Sequence, residues 1–149
     1  MYKRQIQGSL EPSVGKIKRR LQKEKGVSMI ATSGTAISLG NLISSDLGQP
    51  KHKMHGYKFK KDKLEIVLEK LIKMPSFEIK KIPSLSERRA EIIIPGALIL
   101  DTSMEMLDFD ELTICERALR EGLVVDWMLR QGIITVSYTH LTLPTNREV

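Results

Sequence analysis

The chain has 149 residues, of which 41% are apolar and 28% are charged, and its formal net charge is +6. These values are typical of a globular domain and exclude disordered, collagen-like and disulfide-scaffold proteins. The single cysteine, Cys115, excludes an internal disulfide and a multi-cysteine zinc site. No apolar run is long enough to span a membrane, and the first residues lack the apolar core of a signal peptide, so we expect a cytoplasmic protein.

The charge is unevenly distributed along the chain. Residues 1–83 carry 18 Lys and Arg against 7 Asp and Glu, whereas residues 84–149 carry 6 against 11. A basic half favours phosphate-rich partners, although a solvated lysine-rich surface gives the same pattern without a ligand. Nucleic acid is the less favoured partner, because only 5% of the residues are aromatic and RNA recognition relies on base stacking.

The first third of the chain predicts a helix, a strand and a second helix. Residues 13–25 form a short basic helix with one apolar stripe, and Gly26 ends it. A buried strand over residues 27–31 follows. A turn of small residues at 32–35 then leads into a helix over residues 36–43.

The middle of the chain predicts a short strand and two further helices. Tyr57 and Phe59 alternate with lysines, which favours an exposed strand. Asp62 is placed to cap a strongly amphipathic helix that Pro75 closes. A long helix is predicted over residues 87–107 despite an internal proline, with Ser84 and Glu87 spaced as a capping box.

The last third predicts a short strand at residues 112–115 and an amphipathic helix over residues 119–128 that Gly132 ends. The two ends follow no pattern, so we expect residues 1–5 and 136–149 to be non-native. The native portion is then residues 6–135, one domain of a longer protein.

The turn at Thr32, Ser33, Gly34 and Thr35 is the first candidate binding site. Backbone N–H groups at the start of a helix bind anions, and the helix dipole adds to this attraction. Glycine permits close approach of the backbone, and the flanking hydroxyls add hydrogen-bonding groups. A tight turn without a ligand gives the same pattern.

Arg89 is the second candidate, because its planar guanidinium suits bidentate phosphate binding. An exposed arginine in the first turn of a structural helix fits the pattern equally well. Farther on, Arg120 and Glu121 form a buried pair or orient a loop, and Gly122 allows close packing. No residue is assigned a catalytic or metal-binding role: the sequence has no Walker-type or dinucleotide-binding glycine motif, and no carboxylate cluster accompanies its histidines.

Four stretches, in this order and spacing, resemble the second half of the Ppx/GppA phosphatases, the exopolyphosphatases and guanosine pentaphosphate phosphohydrolases. They are residues 30–35 (IATSGT), 55–57 (HGY), 89–100 (RAEIIIPGALIL) and 118–123 (ALREGL). The third and fourth are the most specific. The chain departs from the family at Ser33, where a second glycine is frequent, and at Arg117, where a small residue is frequent.

The resemblance implies an α/β fold of the ribonuclease-H-like, actin-like ATPase superfamily, present here as an incomplete half-domain that is helix-rich with a small sheet. It implies release of terminal phosphate from polyphosphate, or of the 5′ γ-phosphate from guanosine pentaphosphate, with Mg²⁺. The family's Asp-x-Gly phosphate turns and catalytic carboxylate precede the matched region, so the Mg²⁺ ligands are expected outside this chain. The implied partners are the phosphorylated substrate, the missing N-terminal half of the same enzyme and a second copy in a homodimer, with no membrane partner.

Within this resemblance, Thr32, Ser33, Gly34, Thr35 and Arg89 are expected to bind phosphate or nucleotide. The residues expected to support the cleft are Glu91, Gly96, Arg120, Glu121 and Gly122. Two other functions remain open: a module that binds phosphate or nucleotide without chemistry, and half of another actin-like kinase.

Overall fold

The computed structural model describes residues 2–46 and 53–135. In chain order the elements are α1 (Tyr2–Leu21), β1 (Met29–Thr32), α2 (Gly34–Asp46), β2 (Lys58–Lys60), α3 (Lys61–Lys73), α4 (Ser76–Ile79), α5 (Glu87–Leu107), β3 (Glu111–Cys115) and α6 (Leu119–Arg130). The chain divides into two compact units, one ending at Glu116 and one beginning at Arg117. Residues 136–149, which the sequence predicts to be non-native, lie outside the described residues.

The sheet is small and mixed, with strand order β1-β3-β2. β1 runs parallel to β3, with Met29 opposite Leu112 and Thr32 opposite Cys115. β2 runs antiparallel along the other edge of β3. A parallel pair needs a long crossover, and helices α2 to α5 lie within that connection. The prediction of a helix-rich α/β fold with a small sheet is therefore confirmed.

Helix α5 forms the centre of the first unit, because α1, α2, α3 and α4 all pack against it. Its inward side chains include Ile93, Ala97 and Met104, which are almost fully buried. The sheet contributes Leu112 and Ile114 to the same core. Burying these apolar side chains stabilises the unit by roughly 1.5–3 kcal/mol for each large one, relative to leaving it exposed.

Helix α1 begins at Tyr2, eleven residues before the predicted start at Ser13. The prediction was wrong because it omitted Ile6 and Leu10, which extend the apolar stripe of Val14 by helical spacing. Pro12 lies inside the helix. Residues 2–5 thus form the first turn of α1; that they are non-native stays a prediction.

Two predicted caps are also wrong. Lys60, not Asp62, precedes α3, because β2 leads directly into the helix and leaves Asp62 in its first turn. Ser86, not Ser84, precedes α5. The long helix itself is confirmed at its predicted bounds and continues through Pro95.

The second unit contains α6, which is confirmed as a helix but not as a buried one. The apolar side chains predicted to form its inner face are exposed within this chain, with Leu119 at 77% and Trp127 at 57%. The helix ends before Gly132, whose φ of 67° suits a residue without a side chain.

Candidate functional site

The candidate site lies where β1 and β3 end. Parallel strands place their carboxyl ends at one edge of the sheet, and in open α/β folds ligands bind just outside that edge. Here the edge carries Thr32 and its neighbour Cys115. The chain leaves β1 through Ser33, whose φ of 134° is a backbone conformation that side chains rarely adopt. Such strain is retained where the surrounding structure demands a particular turn.

Helix α2 begins at Gly34, directly after Ser33. The carbonyl of Ser33 accepts a hydrogen bond from the N–H of Ile37, so helical bonding starts at once. The N–H groups of the first helical turn have no partner within the helix and point outward from its N-terminus. Thr35 adds a half-buried hydroxyl beside them. This arrangement attracts an anion through aligned N–H dipoles.

Arg89 of α5 reaches this turn. Its Nη1 donates to the hydroxyl of Ser38 at 3.3 Å, and Ser38 is fully buried. Its guanidinium also covers Gly34, since a Cβ built on that glycine would lie 2.8 Å from Nη2. The glycine is therefore needed for the arginine to lie against the helix start.

The acids beside Arg89 are paired elsewhere. Lys80 lies 3.1 Å from Glu91 and 3.7 Å from Glu87, and the hydrogen bond that Lys80 donates to Glu91 raises the pKa of the Lys80 ammonium. Among the described residues, no carboxylate forms an ion pair with Arg89. Its positive charge therefore stands uncompensated next to the N-terminus of α2, where it adds to the helix dipole.

A cavity of about 260 Å³ opens between the turn and α5. Its lining includes backbone and side chains of Ala31, Thr32, Ser33, Thr35, Gly96 and Ile99. A charged or polar ligand fragment fits such a space when a few polar groups converge on a largely apolar wall.

Gly96 sets how closely α5 approaches the turn. A Cβ built on this residue would lie 2.5 Å from Cγ2 of Thr35, well inside van der Waals contact. The glycine in the Pro95-Gly96 pair thus permits α2 to pack directly on α5. This supports the predicted site by placing Thr35 and the cavity wall against each other.

Of the residues predicted from the sequence, the structure brings together Thr32, Ser33, Gly34, Thr35, Arg89 and Gly96. Glu91 is not among them: it follows Arg89 by two positions, which places it on the far side of the helix, where it meets Lys80. Ser38 was missed by the sequence reasoning. The sequence could have indicated Ser38, because it follows Gly34 by four residues and therefore lies on the same face of α2.

Arg120, Glu121 and Gly122 lie in the second unit. The carboxylate of Glu121 accepts a hydrogen bond from the N–H of Ala118 at 2.7 Å, and this bond lowers the pKa of Glu121. Arg120 is 90% exposed, so the expected buried pair with Glu121 is a surface contact. Among the described residues, a Cβ on Gly122 would meet nothing within 4 Å, so close packing against them does not explain that glycine.

The first unit also contains a buried carboxylate, Asp101 on α5, with a side chain only 4% exposed. Lys3 donates to it at 3.0 Å, and Lys61 lies 3.2 Å from its other oxygen. Hydrogen bonds to Glu105 and Glu65 respectively raise the pKa of these two lysines. Two cations already compensate Asp101, so it is a structural ion-pair centre joining α1, α3 and α5.

The described residues do not come together into a Mg²⁺ site. Within residues 2–46 and 53–135, no three His, Cys, Asp or Glu side chains come together as ligands would. Hard divalent cations need several oxygen ligands. The expectation that Mg²⁺ ligands lie outside this chain stays a prediction, and no step is derived through the ion. Nor does any helix in the described part of the chain combine the length and apolarity needed to cross a membrane.

The parallel strand pair, the helix-bearing crossover and the turn at the strand ends define a helix-rich α/β fold with a small mixed sheet. A sequence model of the Ppx/GppA phosphatase family matches residues 1–131. The chain therefore belongs to the Ppx/GppA phosphatase family. No curated protein matches the chain.

Solved structures with the same fold come from the same family. A family member from Aquifex aeolicus superposes with a TM-score of 0.70 at 23% identity, over 86% of this chain and 40% of that one. An exopolyphosphatase from Cytophaga hutchinsonii superposes with a TM-score of 0.67 at 14% identity, over 87% of this chain and 42% of that one. At these identities the likeness shows the fold. The chain spans about two fifths of the length of these relatives.

Proposed function

We propose that this chain is the part of a cytoplasmic Ppx/GppA phosphatase that holds the phosphates of its substrate while the terminal phosphoanhydride is hydrolysed. The observation that carries the proposal is the guanidinium of Arg89 lying on Gly34, at the N-terminus of α2. Both groups are positive, and they lie against each other next to the turn that follows β1. The N-terminus of α2 and the guanidinium of Arg89 each bind anions, and their proximity favours a phosphate ligand over a purely structural turn.

Inorganic polyphosphate is the substrate that we propose first, and guanosine pentaphosphate is the alternative. Each offers consecutive phosphates, one for the N–H groups of the turn and another for the planar fork of Arg89. The role proposed for both groups is orientation of the phosphate chain. The water-positioning carboxylate and the Mg²⁺ ligands belong to the missing N-terminal half, as the family resemblance implies, and a homodimer completes the proposed assembly.

The test is calorimetric titration of the 149-residue chain with tripolyphosphate, comparing Arg89→Ala with Arg88→Ala. Arg88 is the matched control, because it is exposed, neighbours Arg89 and carries the same charge. A charged hydrogen bond contributes about 1.5–3 kcal/mol, so Arg89→Ala is expected to raise Kd roughly 10- to 150-fold. Arg88→Ala should leave Kd nearly unchanged. Equal weakening by both variants contradicts the proposal.

A second variant, Gly34→Ala, tests the turn itself. The new Cβ displaces the guanidinium, which is the far end of a flexible side chain, so the fold should lose little stability. Binding of tripolyphosphate should nevertheless weaken, since both anion-binding groups are disturbed. Normal binding by a folded Gly34→Ala variant would place the phosphates elsewhere.

The second candidate function, binding without chemistry, rests on the absence from the sequence of the longer Asp-x-Gly-[Gly/Ser]-Gly-Ser phosphate turn. It predicts that the 149-residue chain binds tripolyphosphate at the turn but releases no phosphate from it in the presence of Mg²⁺. Hydrolysis well above a buffer blank, abolished by Arg89→Ala, would reject that candidate and assign catalysis to this chain.

A further inference from the structure

The C-terminal half of α1 presents a face of cations outside the candidate site. Lys16, Arg19 and Arg20 lie on this helix, and Lys23 follows in the turn that ends it. The spacing of i, i+3 and i+4 places Lys16, Arg19 and Arg20 on one side of the helix, and all four cations are exposed. We call these four residues the basic face.

Both other lysines of α1 are paired with acids, unlike the cations of the basic face. Lys3 binds Asp101 and Glu105, and Lys18 binds Asp108 at 2.8 Å. Within the described part of the chain, no acid forms an ion pair with Lys16, Arg20 or Lys23. Arg19 donates only to a backbone carbonyl of its own helix. The acids nearest in sequence, Glu11 and Glu24, form no ion pair with any of the four.

Helix stability alone does not account for this arrangement. The helix dipole favours cations in the last turn, which gives Arg19 and Arg20 a structural benefit. It does not reach Lys16, one turn earlier, and like charges at i,i+4 destabilise a helix by a few tenths of a kcal/mol per pair. A row of uncompensated cations along the end of α1 and the turn that follows it is instead suited to an extended polyanion.

We infer that the basic face binds the distal part of a long polyphosphate chain, away from the candidate site at the turn. The choice of polyphosphate rests on the proposed function. Electrostatics favour it as well, because single bridging oxygens join its phosphates, giving a higher charge density than a nucleic acid strand. The basic face includes no aromatic side chain on which a base could stack, which disfavours RNA.

The experiment measures the affinity of the 149-residue chain for long-chain polyphosphate and for tripolyphosphate. The test variant carries Lys16→Gln, Arg20→Gln and Lys23→Gln. The matched control carries Lys53→Gln, Lys60→Gln and Lys63→Gln, which removes three exposed lysines elsewhere and gives the same net charge. Circular dichroism verifies that both variants fold, and a Lys16→Arg, Lys23→Arg variant preserves the charge of the face.

We expect the test variant to bind long-chain polyphosphate at least about tenfold more weakly, with a log–log salt dependence shallower by about two, since each cation releases close to one counterion. The control and the charge-preserving variant should stay close to wild type, and tripolyphosphate affinity should not change in the test variant. Equal losses in test and control variants would overturn the inference. So would loss of tripolyphosphate binding in the test variant, or equal or tighter binding of polyuridine matched in phosphate number.

The two proposals fail separately. If the wild-type chain does not bind tripolyphosphate, or if Arg89→Ala does not weaken that binding, the proposed function fails. The comparison of test and control variants on long-chain polyphosphate still decides the inference about the basic face.

Discussion

The contact between Gly96 and Thr35 gives the sharpest prediction about the packing around the candidate site. Alanine in a helix interior is about 1 kcal/mol more favourable than glycine, so Gly96→Ala would stabilise α5 if the site were open. The new Cβ instead meets Cγ2 of Thr35 at 2.5 Å. Thr35 is β-branched and stiff at χ1, so it cannot swing aside as a long side chain can.

Overpacking of this kind costs typically 1–3 kcal/mol, which exceeds the gain in helix propensity. We therefore expect Gly96→Ala to lower the free energy of unfolding by about 1 kcal/mol. Thermal and urea unfolding of the 149-residue chain measure the change, which corresponds to a few degrees in Tm. Gly122→Ala is the matched control, because its Cβ meets nothing within 4 Å. Gly122→Ala should leave the unfolding free energy of the first unit unchanged, and it should slow amide exchange in α6 because alanine favours the helix.

A double-mutant cycle isolates the cause. Thr35→Ser removes Cγ2 and leaves Cβ and Oγ1 of residue 35 at 3.6 Å from the new methyl group, which is ordinary contact. Gly96→Ala should therefore cost less in a Thr35→Ser background than in the wild type, with a coupling of about 1 kcal/mol. If Gly96→Ala stabilises the chain, or if Thr35→Ser gives no rescue, the close approach of α2 to α5 is refuted.

Three further predictions concern strain and charge. Ser33→Gly should raise the free energy of unfolding by about 1 kcal/mol in urea, because relief of the strained φ exceeds the entropic cost of glycine; a loss of stability would contradict the strain. Lys3→Ala and Lys61→Ala should each lower the free energy of unfolding only slightly, since Asp101 keeps one lysine partner in either variant. The double variant leaves the buried carboxylate without a lysine and should lower the free energy of unfolding by about 3 kcal/mol. If the two single losses simply add up in the double variant, Asp101 does not depend on either lysine. Because the pKa of Glu121 is lowered in the folded chain, its hydrogen bond to the N–H of Ala118 stabilises α6 fully at pH values above the usual Glu pKa of 4.5. This stabilisation is lost as the pH falls through the lowered pKa of the folded state. Amide exchange in α6 should therefore depend on pH in this range, and Glu121→Gln should remove that pH dependence.

The sequence predicts those features of the fold that depend on local pattern. The bounds of α5, the order of strands and helices, and the glycine turn follow from periodicity and turn chemistry. The early part of α1 follows the same pattern through Ile6 and Leu10, which the prediction omitted, whereas the pair of Lys3 with Asp101, ninety-eight residues away, is a tertiary contact that no local pattern shows. The apolar face predicted for α6 is exposed, because an amphipathic pattern shows that a face requires a partner but does not identify that partner.

For the candidate site, residue type alone identifies Thr32–Thr35 and Arg89 but not their relation. The contact between Arg89 and Gly34 depends on how α2 packs against α5, which Gly96 permits through a single missing side chain. Ser38 joins the site only because it is buried beneath the guanidinium. Glu91 resembles a site residue in sequence, yet two positions along a helix are enough to turn it toward Lys80.

The most direct test of the central claim is a map of backbone and guanidinium NMR shifts in the 149-residue chain during titration with tripolyphosphate. The account predicts that the largest changes occur at the amides of Gly34 and Thr35 and at the guanidinium of Arg89, and that Arg89→Ala reduces the amide changes at equal ligand concentration. Shifts that leave these groups unmoved while other residues titrate would contradict the claim that the N-terminus of α2 and Arg89 form the phosphate-binding site.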